Sequence, residues 1–171
     1  LAGDASGFDR QTGVTPLIRF ARSEELERLQ PLWEALYEHQ AAHGMQIALP
    51  ENAFAAWVSS MRPTLDRFSV VTVAENGTEL LGLVAGRIRM LPAYFGSEPV
   101  GFIGEVFVLP EARSGGVGEA LVRKTIEWFG DREIRRIELQ VVSDNPRALR
   151  FYERLGWKRE LVQLTYQVRR A

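Results

Sequence analysis

A short apolar stretch, Thr15–Phe20 (TPLIRF), predicts a first strand. After it, Leu26, Leu29, Leu32, Trp33, Leu36 and Tyr37 recur at the three- and four-residue steps of a helix with one buried face. Ser23 is the expected N-cap, with Glu24 and Glu25 placed where the helix dipole favours negative charge. Pro31 falls inside this pattern and predicts either a kink or two abutting helices. A polar connection, His39 to Pro50, leads to a second helix over Glu51–Met61, with Phe54, Trp57, Val58 and Met61 on one side.

The period changes at Phe68. FSVVTVAE and TELLGLVAGRIRM flank Asn76-Gly77, the signature of an antiparallel hairpin. Leu91–Pro99 carries two prolines, Tyr94, Phe95 and Gly96, and predicts an exposed loop. VGFIGEVFVLP is a strand that ends at Pro110. The Gly-rich turn after it runs into a helix with Val117, Leu121, Val122, Ile126 and Phe129 on its apolar face and Gly130 at its close. RRIELQVV is another strand. Asp144-Asn145-Pro146 caps a short helix that turns Ala148, Phe151, Tyr152 and Leu155 inward and stops at Gly156. WKRELVQLTYQV predicts a final strand. The order is mixed α/β with no internal repeat.

Composition narrows this reading. The sequence has 171 residues, 46% hydrophobic and 25% charged, which suits one globular domain from residue 15 onward. Residues 1–14 are polar and Gly-rich, lack an apolar signal core, and are expected to be a disordered leader. A net charge of −1 provides no broad positive field for nucleic acid. No apolar run is long enough for a membrane span. Cysteine is absent, which removes disulfides, Cys-based metal sites and thiol nucleophiles, and fits a reducing compartment such as the cytoplasm.

The strand, Gly-rich turn and helix between Glu105 and Phe129 carry the clearest chemistry. A helix start offers unpaired N–H groups and the positive end of a dipole. Gly115, Gly116 and Gly118 let a ligand approach the backbone, and Arg113 adds a cation suited to phosphate. A tight turn without a ligand would use glycines in the same way. A P-loop would need Lys-Ser/Thr where Glu119-Ala120 stands. The dinucleotide fingerprint can begin at Gly116-Val117-Gly118, but Leu121 occupies its third glycine position; Glu138, about 20 residues on, keeps that reading open.

Arg113-Ser114-Gly115-Gly116-Val117-Gly118 matches R-x-x-G-x-G after a strand ending Val108-Leu109-Pro110. Downstream, Asn145-Pro146-Arg147-Ala148-Leu149-Arg150-Phe151-Tyr152-Glu153-Arg154-Leu155-Gly156-Trp157 matches N-x-x-A-x-x-x-Y-x-x-x-G-aromatic. The two blocks together resemble the GNAT superfamily of N-acetyltransferases, over about Phe68–Lys158. The resemblance implies a mixed, mostly antiparallel central sheet flanked by helices, with two parallel strands splayed at an acyl-CoA cleft. Those strands would be Phe102–Leu109 and Arg136–Val142.

Acetyl-CoA is then the expected co-substrate, with a primary amine as acceptor (a small molecule, a peptide N-terminus or a lysine) and no metal. Backbone groups of Val106, Phe107 and Val108 would pair with the pantetheine arm. Amides of Ser114, Gly115, Gly116, Val117, Gly118 and Glu119 would hold the pyrophosphate beside Arg113, and Asn145 would contact the arm as well as cap its helix. Tyr152 would give a proton to the departing thiolate, a role its ordinary pKa near 10 suits. A backbone N–H of Val106–Val108 would meet the oxyanion. Glu105, at the cleft end of the strand, is the candidate base or cation-attracting group; an outward-facing strand Glu is the alternative. Glu138 is a weaker base candidate, and Gln140 stands where some relatives place a carboxylate. Without Cys, transfer would be direct, in a ternary complex.

His39 and His43, at i and i+4, lack a clear third zinc ligand and read as surface residues; the resemblance puts them, with Trp57, Tyr94 and Phe95, in the region that lines the acceptor pocket, with core packing the default for Trp57. Many relatives dimerise, so a homodimer is compatible with the resemblance. A different acyl-CoA on the same scaffold, or a CoA- or nucleotide-binding module without turnover, are the competing readings.

Overall fold

A computed structural model describes residues 15–168; the expected leader, 1–14, lies outside them. Five strands form one sheet in chain order: β1 (Leu17–Phe20), β2 (Ser69–Asn76), β3 (Glu79–Met90), β4 (Pro99–Val108) and β5 (Ile137–Leu139). The first four are antiparallel, and only β4 and β5 run parallel. The β2–β3 hairpin closes through Gly77-Thr78, with Asn76 opposite Glu79 and Gly77 at φ 62°.

Helices α1 (Gln30–Ala42) and α2 (Ala53–Met61) cover one face of this sheet, where Leu32, Leu36, Trp57 and Met61 pack on Val71, Val73, Leu83 and Ala85. Helices α3 (Val117–Gly130) and α4 (Pro146–Arg154) cover the other, where Leu121, Val122, Phe129 and Tyr152 meet Val70, Val84 and Ile103. Because both faces are buried, β2 reads as a continuous apolar run rather than an alternation. Its buried hydroxyls are matched, Thr72 by Thr125 of α3 at 2.8 Å and Ser69 by Thr64 at 2.8 Å.

Two details of β4 position the site. Gly86 and Gly101 lie under the ring of Phe129, where a Cβ on either would come to 2.9 Å of ring carbons. Farther along, Ala85 pairs with Glu105 and Gly86 with Ile103, leaving Gly104 as an extra residue on β4. This bulge reverses the strand's facing. Ile103 points to α3, while Glu105 and Phe107 both point to the α1–α2 side.

Several local expectations are corrected. Ser23 is not the N-cap: Arg22 holds that place without a side-chain bond, and Ser23–Leu29 is a 3-10 helix. It abuts α1, whose first turn accommodates Pro31, so the outcome is two helices rather than a kink. The left-handed residue after α3 is Glu133, at φ 60°, and Gly130 stays helical. The β5 ladder has three residue pairs, shorter than the expected strand.

The expected last strand, residues 157–168, has no ladder partner. Beyond the Trp157 N–H, which bonds the Tyr152 carbonyl at 3.1 Å, its contacts include side-chain ones, Glu160 with Arg136, Gln163 with Gln140 and Gln167 with Gln46. A β5 that ends at Leu139 offers too short an edge to hold it.

Replacing Gly86 or Gly101 with Ala forces Phe129 off its seat. Either variant is expected to lose about 1–3 kcal/mol of stability, read by chemical denaturation. Gly77→Ala should cost less, since open space surrounds its Cβ position and only φ opposes it.

Candidate active site

The parallel ladder between β4 and β5 stops at Ile103–Leu139, and the two chains then diverge. Between them opens a cleft of about 530 Å³, lined by Val106–Val108 of β4 and by residues 139–142 after β5. Arg113 donates from Nε to the Val108 carbonyl at 2.8 Å, so this strand edge turns backbone groups away from β3 and into the cleft. By the two-residue alternation of an antiparallel strand, Val106 exposes its N–H and C=O to the same side.

The N-terminus of α3 forms one end of the cleft. Ser114 and Gly116 both take positive φ, 73° and 79°, which turns the loop sharply into the helix. The first amide with a backbone acceptor is that of Ala120, bonded to Gly116 O at 2.9 Å. Those of Ser114 through Glu119 have none among the described residues. Six consecutive free N–H groups at the positive end of a helix make an anion cradle. Ser114, Gly116, Gly118 and Glu119 line the cleft directly; Gly115 contributes its amide from the rim, and Val117 turns its side chain into the core.

Helix α4 supplies the opposite wall. Asn145 caps it, accepting from the Ala148 N–H at 3.0 Å, and is itself part of the cleft lining. Tyr152 is buried against Phe151 and Trp157, yet its hydroxyl borders the cleft and has no partner among the described residues. Burial pushes that hydroxyl well above its ordinary pKa, so it carries its proton throughout the neutral range.

A family model for the acetyltransferase (GNAT) family matches residues 26–157. The chain belongs to this family. Over 95 residues it is 35% identical to a mycothiol acetyltransferase of Amycolatopsis mediterranei, covering 55% of this chain and 32% of that one. Over 82 residues it is 42% identical to an uncharacterized N-acetyltransferase of Archaeoglobus fulgidus, covering 48% and 55%. The chain thus spans about a third to a half of the curated relatives it matches. The fold is that of the aminoglycoside N-acetyltransferase AAC(6')-Iy solved in complex with CoA, with a TM-score of 0.73 at 20% identity over 93% of this chain and 99% of that one.

Among the residues expected from the GNAT motifs, Glu105 is placed differently from either sequence reading. It is neither outward-facing nor part of the cleft lining. The bulge turns it under α1 and α2, where it accepts from Trp57 Nε1 at 3.1 Å and Tyr37 Oη at 3.4 Å. Burial raises its pKa, against the opposing pull of the Arg87 charge and the two hydrogen bonds. Tyr37 is pushed up to about 12 by burial and by this carboxylate. Glu138 lies away from the cleft in ion pairs with Arg89 and Arg136, whereas Gln140 lines it. Trp57 is core, and Tyr94 and Phe95 are exposed outside the cleft.

Sequence reasoning missed one contribution to this GNAT cleft. Arg147, Arg150 and Arg154, one face of α4 at steps of three and four, line it with Arg113. The first three have no ion pair among the described residues, so a chain of near-zero net charge keeps a cationic wall. His39, expected on the acceptor side, lines the cleft too. No group of three or more metal-ligating side chains occurs among the described residues, and no described helix is long and apolar enough to cross a membrane.

The raised Glu105 pKa has a definite stability sign. The folded state holds the proton more tightly than the unfolded chain, whose Glu titrates near about 4.3. The ionisation penalty is therefore absent below that pH and grows as pH rises through the folded value. Denaturant titrations from pH 4 to 8 should show wild type losing stability relative to Glu105→Gln as pH rises.

Proposed function

We propose that this chain is an acetyl-CoA-dependent N-acetyltransferase that moves an acetyl group directly to a primary amine. The acceptor is a small molecule, a peptide N-terminus or a lysine, and both substrates are held at once. The observation that carries the reading is the single cleft joining a strand edge that has lost its partner, a cradle of free amides and a buried, protonated Tyr152. A thioester donor with a long amide-bearing arm and a pyrophosphate matches these three parts in order. The CoA-bound AAC(6')-Iy structure supports the same reading.

In this mechanism Val106 and Val108 hold the pantetheine arm through the backbone, with Val106 giving an N–H toward the developing oxyanion, while Phe107 of the same expected trio pairs with Leu83 of β3 instead. Ser114 to Glu119 bind the pyrophosphate, Arg113 and the α4 arginines neutralise the phosphates, and Asn145 donates to the arm. The amine attacks the thioester carbonyl, a C–N bond forms, the C–S bond breaks, and Tyr152 protonates the thiolate. Glu105 serves the acceptor side from beneath, as a buried carboxylate that fixes Trp57 and Tyr37 and favours a cationic acceptor. Absence of Cys excludes an acetyl-cysteine intermediate, and the same absence suits a reaction in the reducing cytoplasm.

A homodimer belongs to this proposal. Leu161, Val162, Leu164, Tyr166 and Val168 are each at least 80% exposed on a segment patterned as a strand but without a ladder. A second copy offers that segment an edge of like composition. Light scattering should give twice the chain mass, and Leu161→Asp with Leu164→Asp should return it to one.

Acetyl-CoA should raise the thermal midpoint where NAD and ATP do not; the absence of a shift overturns the donor assignment. With a primary amine as acceptor, Tyr152→Phe should lower kcat by about 10²-fold or more while donor affinity holds. Unchanged kcat removes Tyr152 from proton donation.

A further inference from the structure

Transfer to an amine needs a proton acceptor, because an amine in its ammonium form has no lone pair. Only two side chains of the cleft lining can serve at neutral pH, His39 and Glu119. Glu119 sits in the first turn of α3 at the anion cradle and is paired with Arg123 at 2.8 Å. Glu105 is held out of the cleft by Trp57 and Tyr37.

His39 is on α1, the element that walls the cleft from the side opposite α3 and α4. Its ring stands edge-on to Phe107 at 6.4 Å and tilted against His43 at 4.3 Å. His43 Nδ1 donates to the His39 carbonyl at 2.7 Å, which ties this turn of α1 in place. Neither ring nitrogen of His39 has a hydrogen-bond partner among the described residues, so a lone pair is free toward the cleft. Resting on the acetyltransferase reading above, we infer that His39 is the catalytic base that takes the proton from the acceptor ammonium.

The electrostatics agree. Burial holds the imidazole below its ordinary pKa, and His43 on α1, Arg113 on the loop after β4 and Arg147 on α4 push the same way. No carboxylate is among the charges acting on it. His39 is therefore neutral, and able to accept, at pH 7. The protons balance. His39 takes the first from the ammonium and releases it to solvent. The attacking nitrogen loses a second, which restores the one Tyr152 gives to the thiolate.

The test compares wild type, His39→Gln and His43→Gln, with acetyl-CoA and a panel of an aminoglycoside, a lysyl peptide and a peptide with a free N-terminus. In wild type, kcat/KM should fall on the acid side with a pKa below the ordinary histidine value. His39→Gln should lower it at pH 7 by about 10²-fold or more. Its profile should climb tenfold per pH unit as the free amine accumulates, approaching wild type in alkali. In His43→Gln the acid limb should move to higher pH, because a ring that packs on His39 and opposes its charged form is gone; an acid limb that does not move overturns its assignment to His39.

Acetyl-CoA thermal shifts on all three proteins report the fold and the donor site independently. A His39→Gln enzyme that binds donor normally and keeps the wild-type rate and profile overturns the inference alone. A wild-type protein that neither shifts with acetyl-CoA nor acetylates any amine overturns the acetyltransferase reading, and the inference with it.

Discussion

Backbone amides and carbonyls that leave a ladder must be satisfied elsewhere, and β4 is where this chain leaves them open. The parallel pairing with β5 ends after three residue pairs, while the antiparallel pairing with β3 continues to Val108. One edge of β4 is thereby rigid and the other unmatched. Every functional part is arranged about that edge. The bulge at Gly104 sets which side chains face each layer, the loop after Pro110 turns amides toward the same opening, and α4 closes it from beyond β5. A ligand able to continue the sheet replaces the missing strand.

Charge is distributed on the same plan. The sequence is nearly neutral, yet several of its acidic groups are engaged away from the cleft, in pairs such as Arg19–Glu75 and Arg159–Glu153. Arginines of α4 are left to face the opening. Since exposed pairs contribute little stability and screen readily, their main effect is to cancel charge elsewhere and leave a local field where the α3 N-terminus already points. Local placement, not total charge, makes the site attractive to a polyanion.

The hairpin, the main helices and the Gly-rich turn were legible because each rests on local chemistry. Asn76-Gly77 marks a hairpin, Asn145-Pro146 a capped start, and Gly115-Gly116-Val117-Gly118 a tight approach. What stayed hidden depends on partners distant in sequence. Nothing near Glu105 announces the bulge that turns it from the cleft toward Trp57 and Tyr37, residues 48 and 68 positions away. Likewise, the alternation in residues 157–168 describes a strand accurately as a pattern, but a ladder needs a neighbour, and β5 is too short. The α4 arginines were legible as a helical stripe. Their meaning came only once the wall they face was known.

The bulge also separates two inheritances in one strand. Residues before 62 build the α1–α2 layer, and residues from 99 onward build the strand edge, cradle and α4. These halves meet chiefly through hydrocarbon and through one carboxylate, Glu105, bonded to an indole and a phenol. A hydrocarbon seam tolerates substitution as long as volume is kept. Mutation can therefore remodel the α1–α2 layer while the strand edge, cradle and α4 stay as they are. One such scaffold can diverge into enzymes that share a donor and differ in what they modify.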